Sequence, residues 1–438
     1  MAIKKMIYRN RSVVSPKKVR VNVDFKEYKL DNGLTVILRK DFSMPVVAVD
    51  VCYHVGSKNE KEGKTGFAHL FEHLMFEGSE HVEKGAFDKY ISLAGGYNNA
   101  YTTEDVTNYY EVIPSNQLAL ALWLESDRML KFSVTGEALS TQREVVKEEK
   151  RWRIDNRPYG DASERMQNLV FPVGQYHWPV IGSMEDLDAA NMDDVREFYE
   201  RFYCPNNAVL VVSGSIDFKP AEDLIGKFFS DIPPGRFDIK PVLFEDEKLG
   251  QERVEIMRGN VPSPGVFVAY KVPPEGSPEY YALCQIGKIL SDGNSSRLYQ
   301  KLIYETQAVS DFDVSIEAME KSGVFMFTAF VAPGHSEREV LEIFDDEINR
   351  LQESQVTEYE FNKAQNTTIS SYIGRLSTNS GVADALSHYY SFFKNTGMIN
   401  SEVDRELAVT ASMIHEIAGK FLKKDERVIL NYFPGRSV

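Results

Sequence analysis

Two periods alternate along the chain. The runs 46–56 (VVAVDVCYHVG) and 207–217 (NAVLVVSGSID) are rich in β-branched residues and predict strands, the second one buried. A 3.6-residue period predicts a helix over 66–78 (GFAHLFEHLMFEG), closed by Gly78. It also predicts an amphipathic helix over 118–132 and a longer one from about 137 to 154, which stops at Asp155-Asn156-Arg157-Pro158. Thr, Tyr and Val dominate 97–114, which reads as one strand-like stretch ending at Pro114. Upstream, 28–41 places Asp31-Asn32-Gly33 between two strand-like runs, the signal of a hairpin.

The rhythm breaks at 232–250, a linker with three prolines and mixed charge, and then restarts. Residues 254–274 resemble the opening strand pair, 280–306 take the place of the helix over 66–78, and 427–435 end this half as 207–217 end the first. The chain therefore divides into 1–235, a linker 236–250, and 251–438. An α+β architecture follows, with two similar lobes, each an antiparallel-rich sheet covered by helices.

Composition narrows what such a chain can do. With 438 residues, 43% hydrophobic and 26% charged, it is long enough for two or three cores and excludes a wholly disordered chain. Fifty Lys+Arg against 65 Asp+Glu give −15 and no long basic run, so neither nucleic acid nor an anionic membrane is an expected partner. No stretch reaches the ~18 apolar residues of a membrane span. Lys and Arg near the N-terminus have no apolar core after them, so the chain as given reads as soluble and cytoplasmic. A periplasmic location follows if a leader has been trimmed. Cys52, Cys204 and Cys284 are too far apart for a cysteine-based zinc knuckle and read as buried thiols.

The chemistry concentrates at His69-Leu-Phe-Glu72-His73. At about 100° per residue, Glu72 lies near −60° and His73 near +40° of His69, while Phe67, Leu70, Phe71 and Leu74 gather on the far side. One face thus offers two imidazoles and a carboxylate, and the opposite face is fit for burial. Histidines at i and i+4 can share one Zn²⁺, with the carboxylate in reach of a water; H-x-x-E-H is the inverted zincin pattern. The same string also occurs by chance on a solvated helix face, so a third ligand is needed to decide.

Glu149 is the candidate. On the wheel of the 142–154 helix it shares a side with Val145, Val146 and Trp152, whereas Glu144 and Glu148 point elsewhere. A carboxylate on an apolar face needs a partner, either a metal or a buried cation. Gln142, two turns earlier on that face, is placed to hydrogen-bond the site.

His69-x-x-Glu72-His73 followed by Glu149 resembles the zinc peptidase family of pitrilysin, insulin-degrading enzyme and mitochondrial processing peptidase. GFAHLFEHLMFEGS, AGGYNNAYTTEDVTNYYEVIP and VVKEEKRWRIDNRP are similar to its successive blocks, and LSDGNSSRLYQKLI to a turn in its second domain. The resemblance implies a processing-peptidase-like fold with a catalytic first domain and a homologous second domain lining a chamber. It implies one zinc held by His69, His73 and Glu149, with Glu72 as general base. It further implies a peptide substrate paired along Asn99, Ala100 and Thr102. Gln142 stands where many relatives carry a second glutamate. Relatives also use an Arg and a Tyr from the C-terminal half or a partner chain. In 391–414 only Arg405 is found, with no Tyr after it. Long members hold four such units in one chain, so two chains of this kind would close around a substrate, as a homodimer or with a zinc-free homologous subunit. The expected function is a zinc metalloendopeptidase; the alternatives are a non-catalytic subunit of such an assembly and a zinc hydrolase of small molecules.

Overall fold

The computed structural model describes residues 19–242, 244 and 249–435, so the reading of the first residues and part of the 232–250 linker lie outside it. The first sheet holds β1 (Lys26–Lys29), β2 (Thr35–Lys40), β3 (Val46–Tyr53), β4 (Tyr97–Thr102), β5 (Thr107–Pro114) and β6 (Ala208–Gly214). Its helices are α1 (Phe67–Leu74), α2 (Ala86–Leu93), α3 (Leu118–Leu130), α4 (Gly136–Lys150), α5 (Ala162–Val170), α6 (Met184–Ala189), α7 (Met192–Phe202) and α8 (Phe218–Phe229) in chain order. The second sheet holds β7 (Arg253–Gly259), β8 (Gly265–Val272), β9 (Val309–Ala318), β10 (Gly323–Val331) and β11 (Arg427–Pro434). With them run α9 (Pro278–Ser291), α10 (Glu337–Glu353), α11 (Glu358–Arg375), α12 (Asn379–Phe393), α13 (Met398–Leu407) and α14 (Ala411–Phe421).

The strand orders are β1-β2-β6-β3-β5-β4 and β7-β11-β8-β10-β9. With β1 set aside, the two orders are identical. β2 runs parallel to β6 as β7 does to β11, and every other pairing is antiparallel in both sheets. The repeat is therefore a repeat of topology, and the fold is the two-lobed α+β arrangement expected.

The inner strands β3, β6 and β8 are buried on both faces. Along β3, Val47, Val49, Val51 and Tyr53 enter the core beneath α1, α3 and α7, while Ala48 and Cys52 enter a second core on the other face. That second core is closed by Val382, Ala383, Leu386 and Tyr389 of α12, a helix from the other half of the chain. The exchange is mutual: Ala162, Met166 and Val170 of α5 pack on Phe267, Ala269, Val428 and Leu430 of the second sheet. A polar clasp joins the halves as well. Lys58 Nζ sits 2.7 Å from Asp105 Oδ1 and 2.5 Å from Glu320 Oε2, and Glu320 also meets His54 at 2.7 Å.

Several elements differ from the pattern reading. The 97–114 stretch is two strands, turned at Thr103–Val106, where the Thr103 hydroxyl accepts the N–H groups of Asp105 and Val106 at 3.1 Å. α1 ends at Leu74, four residues before Gly78, because three-residue bonds from Phe76 to His73 and from Glu77 to Leu74 tighten the chain. α3 is buried on its polar side too, where the Arg128 guanidinium pairs with Glu125 and lies 4.3 Å from the Tyr109 ring centroid. The hairpin forms as read: Gly33 takes φ +92°, and a Cβ there would lie 2.7 Å from that of Asn206.

Candidate metal centre

α1 begins at Gly66, whose φ of +82° and close approach to the Ile181 carbonyl leave no room for a side chain. Phe67, Ala68, Leu70, Phe71 and Leu74 are buried, and the other face carries His69, Glu72 and His73. α4 crosses that face and brings Glu149 to it. Glu149 Oε2 lies 3.2 Å from His73 Nε2 and 3.8 Å from His69 Nε2, and the three donor atoms all fall within 4.8 Å of one another. A tetrahedron with metal–ligand distances of about 2.0–2.1 Å has edges of about 3.3 Å, so this donor set fits zinc. Among the described residues no other group of three His, Cys, Asp or Glu converges in this way.

The surroundings suit a neutral His69 and an ionised Glu149. Burial, with His73 beside it, pushes His69 down to about 4. The contact with His73 holds Glu149 below the ordinary carboxylate range. Burial pushes Glu72 above that range, partly offset by the Thr102 hydroxyl, which donates to Glu72 Oε2 at 2.6 Å. A carboxyl poised nearer neutrality is better matched to general-base work.

β4 is the outermost strand of its sheet and carries Asn99, Ala100 and Thr102 past α1. The Ala100 N–H donates to the side-chain oxygen of its own neighbour Asn99 at 2.9 Å. A cavity of about 400 Å³ opens beside Glu72 and His73, with Phe76, Glu77, Asn99 and Gln142 among its walls. Gln142 does not reach the ligands; its amide donates to Glu77 at 2.6 Å, and Lys84 holds the other oxygen of Glu77. Of the three apolar residues that the wheel sets beside Glu149, only Val146 is buried: Val145 and Trp152 are exposed, so the face that carries Glu149 is an open one rather than an apolar interior. Arg405 is exposed on α13 and bonds to none of these residues. Pattern reading passed over Arg153, which lies one turn after Glu149 and contacts it at 2.7 Å; the i, i+4 spacing was the available signal.

Comparison with known proteins adds the family. Residues 35–165 match the model described as Insulinase (Peptidase family M16), and 189–368 match the one described as Peptidase M16 inactive domain. The zinc protease PqqE of Helicobacter pylori is 30% identical over 366 residues, 82% of each chain. The chain belongs to peptidase family M16. The M16 segment 35–165 holds His69, Glu72, His73 and Glu149 together. A crystal structure of a protease from Helicobacter pylori superposes on this M16 chain with a TM-score of 0.88 at 27% identity, covering 94% of this chain and 100% of that one. The periplasmic protease PqqL of Escherichia coli shares the fold at a TM-score of 0.77 and 17% identity, over 94% of this chain and 48% of that one. Among the described residues no helix is long and apolar enough to cross a membrane.

Proposed function

We propose that this M16 chain is a zinc-dependent endopeptidase acting on peptides or unfolded segments, one zinc per chain. The observation that carries the reading is the convergence of His69, His73 and Glu149 beside Glu72, at the free edge of β4. Zinc held by these three residues supplies a Lewis acid for the scissile carbonyl and makes a neighbouring water more acidic. Thr102 fixes one oxygen of Glu72, leaving Oε1 to take the proton from the attacking water. The substrate adds as a strand along Asn99, Ala100 and Thr102, taking over the Ala100 N–H that Asn99 covers. Main-chain bonding of this kind gives affinity with limited sequence preference.

In this reading residues 1–235 form the catalytic domain and 251–438 the wall of the chamber. The chain works as a dimer, either with a second copy or with a zinc-free homologous subunit, since Arg405 is exposed on α13 and has no bond to the site. The test is cleavage of an unstructured peptide library by the purified chain at known zinc content, with and without chelator. Chelator-sensitive cleavage supports the reading. A chain that holds one zinc and cleaves nothing, alone or with a homologous partner, overturns it.

A further inference from the structure

A ligand carboxylate has two oxygens, and the way a protein treats the one that does not face the metal decides how firmly the other is aimed. In this site His69 Nδ1 is buried without a partner, and His73 has no hydrogen bond on its outer nitrogen among the described residues. Neither imidazole is held from behind by a carboxylate or carbonyl, the usual arrangement at a metal centre. Glu149 differs. Its Oε2 faces both histidines, and its Oε1 lies 2.7 Å from Nη1 of Arg153. Arg153 belongs to the π-helical turn Arg151–Asp155 that continues α4, and such turns recur at functional sites.

The geometry points to Arg153 as the positioning residue of the metal centre, acting through Glu149 and resting on the zinc reading above. By occupying Oε1 it confines Glu149 to donation through Oε2 alone and holds the side chain toward the histidines. A plain helix pair at i, i+4 contributes little and is solvated at both ends. Here the carboxylate is 15% exposed and the guanidinium 61%, so the acidic end is fixed in the site while the basic end reaches it from outside. The positive charge of Arg153 opposes a bound cation. That repulsion acts from the solvated side, where screening weakens it, whereas the hydrogen bond acts at contact distance.

The test uses the full chain with zinc and with cobalt as a spectroscopic stand-in. Arg153→Ala should weaken zinc retention against a competing chelator ~10–100-fold, the range for loss of an outer partner. It should also alter the visible absorption of the cobalt form, a readout that a merely structural role would not move. Arg153→Lys, which restores one donor, should recover most of both. Wild type holding one zinc, with Arg153→Ala equal to it in retention and spectrum, overturns the inference and leaves the proposed function standing. Wild type that holds no zinc overturns both. If Arg153→Ala fails to fold, Arg153→Gln serves in its place, and retention as strong as wild type overturns the inference in the same way.

Discussion

The two lobes share a strand order and differ in what they do with one helix. In the first, α1 is eight residues long, buries one face and leaves His69, Glu72 and His73 on the other, where α4 and β4 approach without covering it. In the second, α9 is 14 residues long and is covered more fully. Leu283 and Ile286 lie in the core, Tyr281 donates to Glu402 of α13 at 3.0 Å, and Gln285 donates to the Glu406 carbonyl at 2.9 Å. The same scaffold therefore leaves a helix face open in one lobe, where the proposed metal centre lies, and closes it with α13 in the other. The proposed chemistry depends on an omission of packing as much as on the residues present.

The comparison predicts opposite consequences for changes on the two helices. The largest effect belongs to the open face. His73→Ala should lose both zinc and peptide cleavage, while Glu72→Gln should keep one zinc and lose ~10²–10⁴-fold in kcat, the range for general-base removal. Metal analysis alongside a peptide assay separates the two. If Glu72→Gln cleaves at the wild-type rate, α1 is no more a catalytic element than α9. On the covered helix, Leu283→Ala should cost about 2–5 kcal/mol of stability by urea unfolding and leave zinc retention unchanged.

Smaller effects sharpen the contrast. Thr102→Val removes the hydroxyl that lowers the Glu72 pKa, so that pKa rises. The acid limb of kcat/KM should then move to higher pH, with kcat reduced ~10-fold; an unmoved limb would separate Thr102 from Glu72. The smallest effect concerns the metal-free chain. His69 sits at about 4 when folded, against about 6.5 when unfolded. Between those values the unfolded chain takes up a proton that the folded one refuses, so stability should fall as pH falls across that window. The urea midpoint followed from pH 7 to 4.5 should drop more in wild type than in His69→Gln.

Much of this was legible in the residues. The hairpin at Asp31-Asn32-Gly33 follows from turn chemistry, and the His69, Glu72, His73 face follows from helical geometry alone. The split at Thr103–Val106 was not visible, because that turn contains neither Gly nor Pro and is closed by a Thr side chain. The wheel put Glu149 on the side of Val145, Val146 and Trp152, yet could not tell an open face from a buried one: Val146 is buried, while Val145 and Trp152 are exposed. The partners of each sheet were equally hidden. Alternation that is apolar on both faces of β3 says that something covers the second face, not that α12 does. Long-range packing leaves no local period.

The exchange of α5 and α12 has a consequence for how the molecule can be divided. A chain severed between Arg236 and Gly250 would yield two fragments, each keeping all the strands of its own sheet and each carrying the lid of the other's. Neither fragment alone could shield its second sheet face from water. Mixed together, the two would have every reason to find one another, bound by a helix in each direction and by the Lys58, Asp105 and Glu320 clasp. Gene fission at that position is therefore tolerable for this architecture in a way that independent expression of either half is not.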